Sequence, residues 1–135
     1  MKTDVRISLP FIPGMELLAA NAVQQYCEIN GFSHTAANEL AMATLEATIN
    51  AIKHSQSKDQ RVFLAIQQEQ NKVKVLVHDH GEGFDVSKAN TEFDSENILD
   101  LENKGLGLYI MKQLVDNVNI MINEHGTQIL LTKNI

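Results

Sequence analysis

Residues 72–83 read KVKVLVHDHGEG, a stretch in which an alternating pattern runs directly into a glycine-rich turn. Val73, Val75 and Val77 recur at every second position, which is the period of a strand with one buried face. Asp79 stands where this strand ends, and the two glycines that follow let the backbone turn sharply and approach a ligand. The stretch therefore predicts a strand that presents a carboxylate at its end.

Hydrophobic periodicity outward from this strand predicts the remaining elements. Strands are predicted over residues 5–9, 61–67, 118–122 and 127–132, and helices over residues 15–29, 34–54 and 106–115. Leu18, Ala22 and Tyr26, with Ala19 and Val23 beside them, form the apolar stripe expected on the first helix. Ser33 or Thr35 is the expected N-cap of the second helix. Residues 86–104 are polar and acidic, a composition that indicates a functional lid or a disordered loop.

The element order β-α-α-β-β-lid-α-β-β predicts an α/β two-layer sandwich within a single domain, residues 1–135. The expected sheet is mixed and mostly antiparallel, with the helices on one face. The composition is that of a globular domain, with 44% hydrophobic and 21% charged residues. No internal repeat or linker divides the chain.

The net charge of −6, from 17 acidic and 11 basic side chains, disfavours nucleic acid and an anionic membrane as partners. No apolar run reaches the length of a membrane span, and the N-terminus does not resemble a signal peptide. Cys27 is the only cysteine, which fits a reducing compartment. We therefore expect a cytoplasmic protein.

Three groups of residues have chemistry that makes sense together. Glu46 and Asn50, four residues apart on the second helix, share one face and offer a general base and an oxygen ligand for Mg²⁺. Asp79 can accept a hydrogen bond from an exocyclic amine such as that of adenine. Gly105 and Gly107 at the start of the third helix leave backbone amides free to bind an anion. Each group alone has an ordinary structural explanation; their order along one chain indicates a nucleotide site.

In this arrangement the sequence resembles the ATP-binding superfamily of gyrase, histidine kinases and MutL, which has the Bergerat fold. Residues 46–54, EATINAIKH, match its N box; residues 79–85, DHGEGFD, match its G1 box; and residues 104–108, KGLGL, match its G2 box. Gly126-Thr127 resembles the small motif beside the adenine pocket. The resemblance covers residues 5–133, nearly the whole chain.

The resemblance implies ATP and Mg²⁺ as cofactors and Glu46 as the catalytic base that accepts the proton of the substrate hydroxyl. The implied ATP-binding residues are Asn50, Lys53, Asp79, Gly81, Gly83, Lys104, Gly105, Leu106, Gly107, Leu108 and Thr127. Within this set Asn50 is the implied ligand of Mg²⁺, Asp79 the acceptor for the adenine amine, and Thr127 the residue behind the adenine. Lys53 and Lys104 add positive charge beside the phosphates.

A chain of this size without a phosphoacceptor hairpin or transducer domain looks like the bacterial anti-sigma-factor serine/threonine kinases of the partner-switching type. The resemblance implies phosphorylation of a STAS-domain anti-anti-sigma protein, sequestration of a sigma factor, and a homodimer. Members of that family often place an arginine on the first helix for partner contacts, whereas residues 7–52 of this chain contain no Lys or Arg. The resemblance therefore supports a sigma factor as partner less strongly than it supports ATP. Two alternatives remain: a nucleotide-gated antagonist of a STAS or other regulatory partner with little kinase activity, and a structural domain that binds no nucleotide.

Overall fold

The computed structural model describes residues 4–81 and 106–134, of which Leu106 is described by its backbone only. Five strands form one sheet: β1 (Asp4–Pro10), β2 (Arg61–Glu69), β3 (Lys72–Asp79), β4 (Asn117–Asn123) and β5 (Gly126–Asn134). Within the described ranges three helices accompany it: α1 (Met15–Ile29), α2 (His34–His54) and α3 (Leu106–Leu114). The predicted elements are all present, and their ends differ from the predictions by at most two residues.

The sheet has the order β1-β2-β3-β5-β4, and all four strand pairings in the described residues are antiparallel. The predicted α/β two-layer class is confirmed. The predicted sheet was mixed and mostly antiparallel, and no parallel strand pair is present in the described residues. Two helices rather than one connect β1 to β2, so the chain returns antiparallel to the strand it left. Strand β4 runs in the direction of β3, but β5 lies between them and separates the two.

Helix ends follow local chemistry. Ser33 caps α2 by accepting a hydrogen bond from the Ala36 backbone N–H at 3.1 Å, which decides between the two predicted caps. Helix α1 ends at Ile29 with Asn30 as its C-cap, and the next residue, Gly31, has a left-handed φ of 86°. There the backbone N–H groups of Gly31 and Phe32 donate to the carbonyls of Glu28 and Cys27, which satisfies the last turn of the helix.

The core lies between the helices and one face of the sheet. Its largest fully buried side chains include Leu40, Ile66, Met111, Leu131, Val23, Val62, Val73, Val75 and Val77. The predicted α1 stripe is confirmed at Ala19, Val23 and Tyr26, which are buried, and wrong at Leu18, which is 54% exposed. Leu18 has the same helical spacing to Ala22 and Tyr26 as a buried residue would have, so only packing shows that it is exposed.

Polar contacts of Lys133, near the C-terminal end of β5, hold helices α2 and α3 against the sheet. Lys133 on β5 donates from Nζ to Glu39 Oε2 of α2 at 3.0 Å and to the carbonyl of Leu114, the last residue of α3, also at 3.0 Å. The helix dipole stabilises a positive charge near a helix C-terminus, so the Lys133 ammonium favours the end of α3. No helix in the described ranges is both long and apolar enough to span a membrane.

Candidate functional site

The start of α3 lies against the middle of α2. A Cβ added to Gly107 would stand 3.2 Å from Glu46 Oε2 and 3.5 Å from both Nδ2 and Oδ1 of Asn50. A side chain at position 107 would therefore crowd Glu46 and contact Asn50, the two polar groups predicted to act together. The structure brings Glu46, Asn50 and Gly107 together, although they are separated by up to 61 positions in the sequence.

Glu46 and Asn50 reach this surface because of helix periodicity. Both are half-buried, while Ala47, Thr48 and Ala51 beside them are buried in the core. Thr48 satisfies its buried hydroxyl by donating to the carbonyl of Thr44 at 2.8 Å, so a polar residue on the buried face leaves no unpaired group. The core thus holds one side of α2 while the adjacent polar side faces α3.

The second part of the site is the end of β3. Asp79 is only 7% exposed, and its Oδ1 accepts hydrogen bonds at 2.9 Å from the Ser55 hydroxyl and from the Gly81 backbone N–H. A buried carboxylate needs such donors, because an unpaired buried charge is strongly unfavourable. A Cβ at Gly81 would lie 2.9 Å from Asp79 Oδ1 and 3.0 Å from Ser55 Oγ, so glycine is the residue that this packing accepts.

Strand β5 completes this end of the site. Thr127 is the register partner of Asp79, and Gly126 precedes it with a φ of 140°. A Cβ at Gly126 would collide with the carbonyl oxygen of Asp79, so the two backbones approach closely only because position 126 lacks a side chain. The predicted pair Gly126-Thr127 therefore lies directly beside Asp79.

The other predicted residues are distributed as follows. Lys53 is exposed on α2, and Leu108 is half-buried and packs against the hydrophobic core. Leu106 is the first residue of α3. Gly83, Lys104, Gly105 and the predicted lid, residues 86–104, lie outside the described residues.

Two histidines, His78 and His80, lie on either side of Asp79 in the sequence at this end of the sheet. His78 stacks on Phe63 with ring centroids 5.2 Å apart, and His80 Nδ1 lies 3.0 Å from Asp59 Oδ2. Burial, together with the nearby His80, lowers the pKa of His78 below its ordinary value. Burial acts to raise the pKa of Asp59, but the hydrogen bond with His80 and other contacts outweigh it, so this pKa is lowered.

The prediction from sequence missed Ser55 and the contact that Gly126 makes. Residues 55–60 have the composition of a turn and suggest nothing more, although Ser55 directly follows the helix that carries Glu46 and Asn50. A serine at that junction was the available signal. The role of Gly126 had no signal beyond its resemblance to the small motif, because the close contact is made across strands.

The site has two ends. The amide of Asn50 and the carboxylate of Glu46 lie at one end, and the buried carboxylate of Asp79 lies at the other. Asn50 Oδ1 is the kind of hard oxygen that binds Mg²⁺, and the space next to it is kept clear of a side chain at position 107. These residues fit a nucleotide with its metal ion.

Residues 16–133 match the family model described as histidine kinase-like ATPase domain. The serine-protein kinase RsbW of Listeria innocua is 27% identical over an alignment that covers 100% of this chain and 89% of that protein. The serine-protein kinase RsbW of Bacillus licheniformis is 30% identical over 76% of this chain and 68% of its own length.

Two solved structures share the fold. The RsbU and RsbW domains of a Mycobacterium tuberculosis protein superpose with a TM-score of 0.74 at 18% identity, covering 98% of this chain and 32% of that chain. The histidine kinase domain of a blue-light activated kinase from Erythrobacter litoralis gives a TM-score of 0.59 at 18% identity, covering 93% and 61% of the two chains. The chain belongs to the histidine kinase-like ATPase domain family, together with the serine-protein kinases RsbW, which confirms the predicted family and the predicted enzyme class of protein serine/threonine kinase.

Proposed function

We propose that this protein binds ATP with Mg²⁺ and transfers the γ-phosphoryl group to a serine or threonine of a STAS-domain anti-anti-sigma protein. The observation that carries the proposal is that the start of α3 lies close to Glu46 and Asn50: a Cβ added at Gly107 would stand 3.2 Å from Glu46 Oε2 and 3.5 Å from Asn50 Oδ1. This proximity places the start of α3, where backbone amides can bind phosphates, beside the carboxylate of Glu46 and the side-chain amide of Asn50.

In this proposal each described residue has one task. Asn50 holds the Mg²⁺, which neutralises charge on the phosphates when bound. Glu46 accepts the proton of the attacking hydroxyl, and the amides at the start of α3 bind phosphate oxygens. Asp79 accepts a hydrogen bond from the adenine amine, and Thr127 on the neighbouring strand lies behind the base. Positioning and charge neutralisation supply most of the catalysis in such a site.

Sequestration of a sigma factor is the second part of the proposal. Ile12, Leu17 and Leu18 are 52%, 59% and 54% exposed around the start of α1, an apolar surface available to a protein partner. We also propose a homodimer, as the resemblance implies, and a cytoplasmic location, which fits Cys27 as a buried free thiol.

The test is phosphoryl transfer in vitro. The protein is incubated with Mg²⁺, ATP and a purified STAS-domain protein from the same organism, and phosphoserine or phosphothreonine is detected on the STAS protein. Glu46→Gln retains ATP binding and loses about 10²–10⁴-fold in transfer rate, the usual contribution of a general base. Glu28→Gln, on the exposed side of α1, is the matched control and keeps the wild-type rate.

Asn50→Ala tests the metal ligand separately. It weakens Mg²⁺-dependent ATP binding, while Asn38→Ala, an exposed asparagine on the same helix, does not. A wild-type protein that forms an ATP-sensitive complex with its partner and transfers no phosphate supports the nucleotide-gated antagonist instead. Absence of ATP and ADP binding at millimolar concentrations with Mg²⁺ refutes both and leaves a structural domain.

A further inference from the structure

The carboxylate of Asp79 is held through only one of its two oxygens. Both described donors, the Ser55 hydroxyl and the Gly81 backbone N–H, reach Oδ1 at 2.9 Å. Oδ2 accepts no hydrogen bond from residues 4–81 or 106–134. A carboxylate with two donors on one oxygen presents the other oxygen in a fixed direction.

The orientation of the Ser55 hydroxyl is also fixed. Its Oγ accepts a hydrogen bond from the Ser57 backbone N–H at 3.2 Å, and the hydroxyl carries a single hydrogen. An ionised carboxylate only accepts, so that hydrogen points to Asp79. The Ser55 hydroxyl therefore donates its hydrogen to Asp79, and the loop that follows α2 holds its oxygen in place.

Ser55 connects the two ends of the site. It is the C-cap of α2, and its backbone N–H donates to the carbonyl of Ala51 at 3.0 Å. At a rise of about 1.5 Å per residue, the axial distance to Ser55 is about 7.5 Å from Asn50 and about 13.5 Å from Glu46. This is the scale of a nucleoside triphosphate, with the helix spanning from phosphates to base.

We propose that Ser55 is a positioning residue that makes the site selective for nucleotides with an exocyclic amine on the base. It fixes Asp79 so that Oδ2 faces the amine of adenine and accepts its hydrogen bond. A base with a carbonyl in place of the amine would put a second acceptor against Oδ2, so no hydrogen bond could form. The proposal rests on the proposed function, because it requires that the base lie at Asp79.

The packing around Gly81 supports the same geometry from the other side. An added Cβ would come within 3.0 Å of both Asp79 Oδ1 and Ser55 Oγ, so these groups occupy their space fully. The carboxylate has little room to rotate while Ser55 is present. Removal of the hydroxyl opens that room and takes away one of two described donors.

The experiment measures binding of ATP and of inosine triphosphate, which has a carbonyl in place of the amine, to the full chain with Mg²⁺ by titration calorimetry. Ser55→Ala weakens ATP binding about 10- to 100-fold, the effect of one hydrogen bond to a charged group. Its affinity for inosine triphosphate stays within about threefold of the wild type, so the preference for ATP shrinks. The rate of transfer at saturating ATP changes little.

Two variants are the controls. Ser55→Thr keeps the hydroxyl and restores the ATP preference. Ser57→Ala removes a buried hydroxyl of the same loop but keeps the backbone N–H that donates to Ser55 Oγ, so it leaves the preference unchanged. If Ser55→Ala does not fold, Gly81→Ala perturbs the same carboxylate and is expected to reduce the ATP preference.

The outcomes separate the two proposals. Wild-type protein that binds neither nucleotide refutes the proposed function and this inference with it. Wild-type protein that prefers ATP, with Ser55→Ala keeping the full preference, overturns the role of Ser55 alone. Equal weakening of both nucleotides in Ser55→Ala shows a merely structural role, and equal affinity of the wild type for both shows that the amine is not read; either overturns the inference.

Discussion

The close approach of β5 to the end of β3 gives the sharpest test of the fold. Gly126 and Gly31 both have positive φ, 140° and 86°, which disfavours any residue with a side chain. They differ in their surroundings: a Cβ at Gly31 meets nothing within 4 Å, whereas a Cβ at Gly126 collides with the Asp79 carbonyl oxygen and lies 3.1 Å from the His80 Cα. Alanine at each position therefore separates backbone strain from packing.

The magnitudes follow from these surroundings. Positive φ costs an alanine about 1–2 kcal/mol at either position. At position 126 the backbone of Asp79 must also move, and such overpacking adds about 1–3 kcal/mol. Gly126→Ala thus lowers the free energy of unfolding by about 2–5 kcal/mol, a large share of the 5–15 kcal/mol that is usual for a domain.

Urea unfolding of the two variants and the wild type, followed by circular dichroism, measures the difference. Gly126→Ala also weakens ATP binding in the proposed site, because Asp79 moves, and Gly31→Ala does not. Equal loss of stability in the two variants would refute the close approach of the strands. Normal stability of Gly126→Ala would refute the backbone conformation as well.

Three further predictions concern the core and its titratable groups. Met111→Ala, at a fully buried position of α3, loses about 2–5 kcal/mol in urea unfolding, whereas the exposed Lys112→Ala stays within about 0.5 kcal/mol of the wild type. Burial, with a smaller effect of Glu28, raises the pKa of Cys27 to about 11, so iodoacetamide at about pH 8 modifies it only after denaturation; modification of the folded protein contradicts this. Because the pKa of His78 is lowered in the folded state, the unfolded chain binds its proton more readily, and stability falls as the pH drops below about 6.5. His78→Gln shows a smaller fall between about pH 7.5 and 5.5, and an unchanged pH profile rules out this contribution.

Much of the architecture was predictable from local patterns. The alternation of Val73, Val75 and Val77 identified β3, and the glycines and caps around α1 and α2 gave their bounds to the residue. Such signals are local, because strand and helix periods are read within a few residues. Leu18 shows the limit: the helix was predicted correctly, but the choice of buried stripe depends on what packs against it.

The candidate site divides in the same way. The residue types and their order are enough to indicate an ATP site, since Glu46 and Asn50 share a helix face by spacing alone. The roles assigned to these residues, and the division into a single domain with a lid at residues 86–104, stay predictions. Ser55 was missed, because its contact with Asp79 joins residues 24 positions apart and leaves no periodic trace.

The sequence by itself determined the element order, the class of fold and the family, because periodicity, glycine positions and short motifs are properties of neighbouring residues. Only the tertiary structure decided that Gly107 lies near Glu46 and Asn50, that Gly126 lies close to the backbone of Asp79, and that Ser55 donates a hydrogen bond to the Asp79 carboxylate. These contacts depend on how α2, α3 and β5 pack around one core, and atomic close approach is decided by that packing rather than by any local preference.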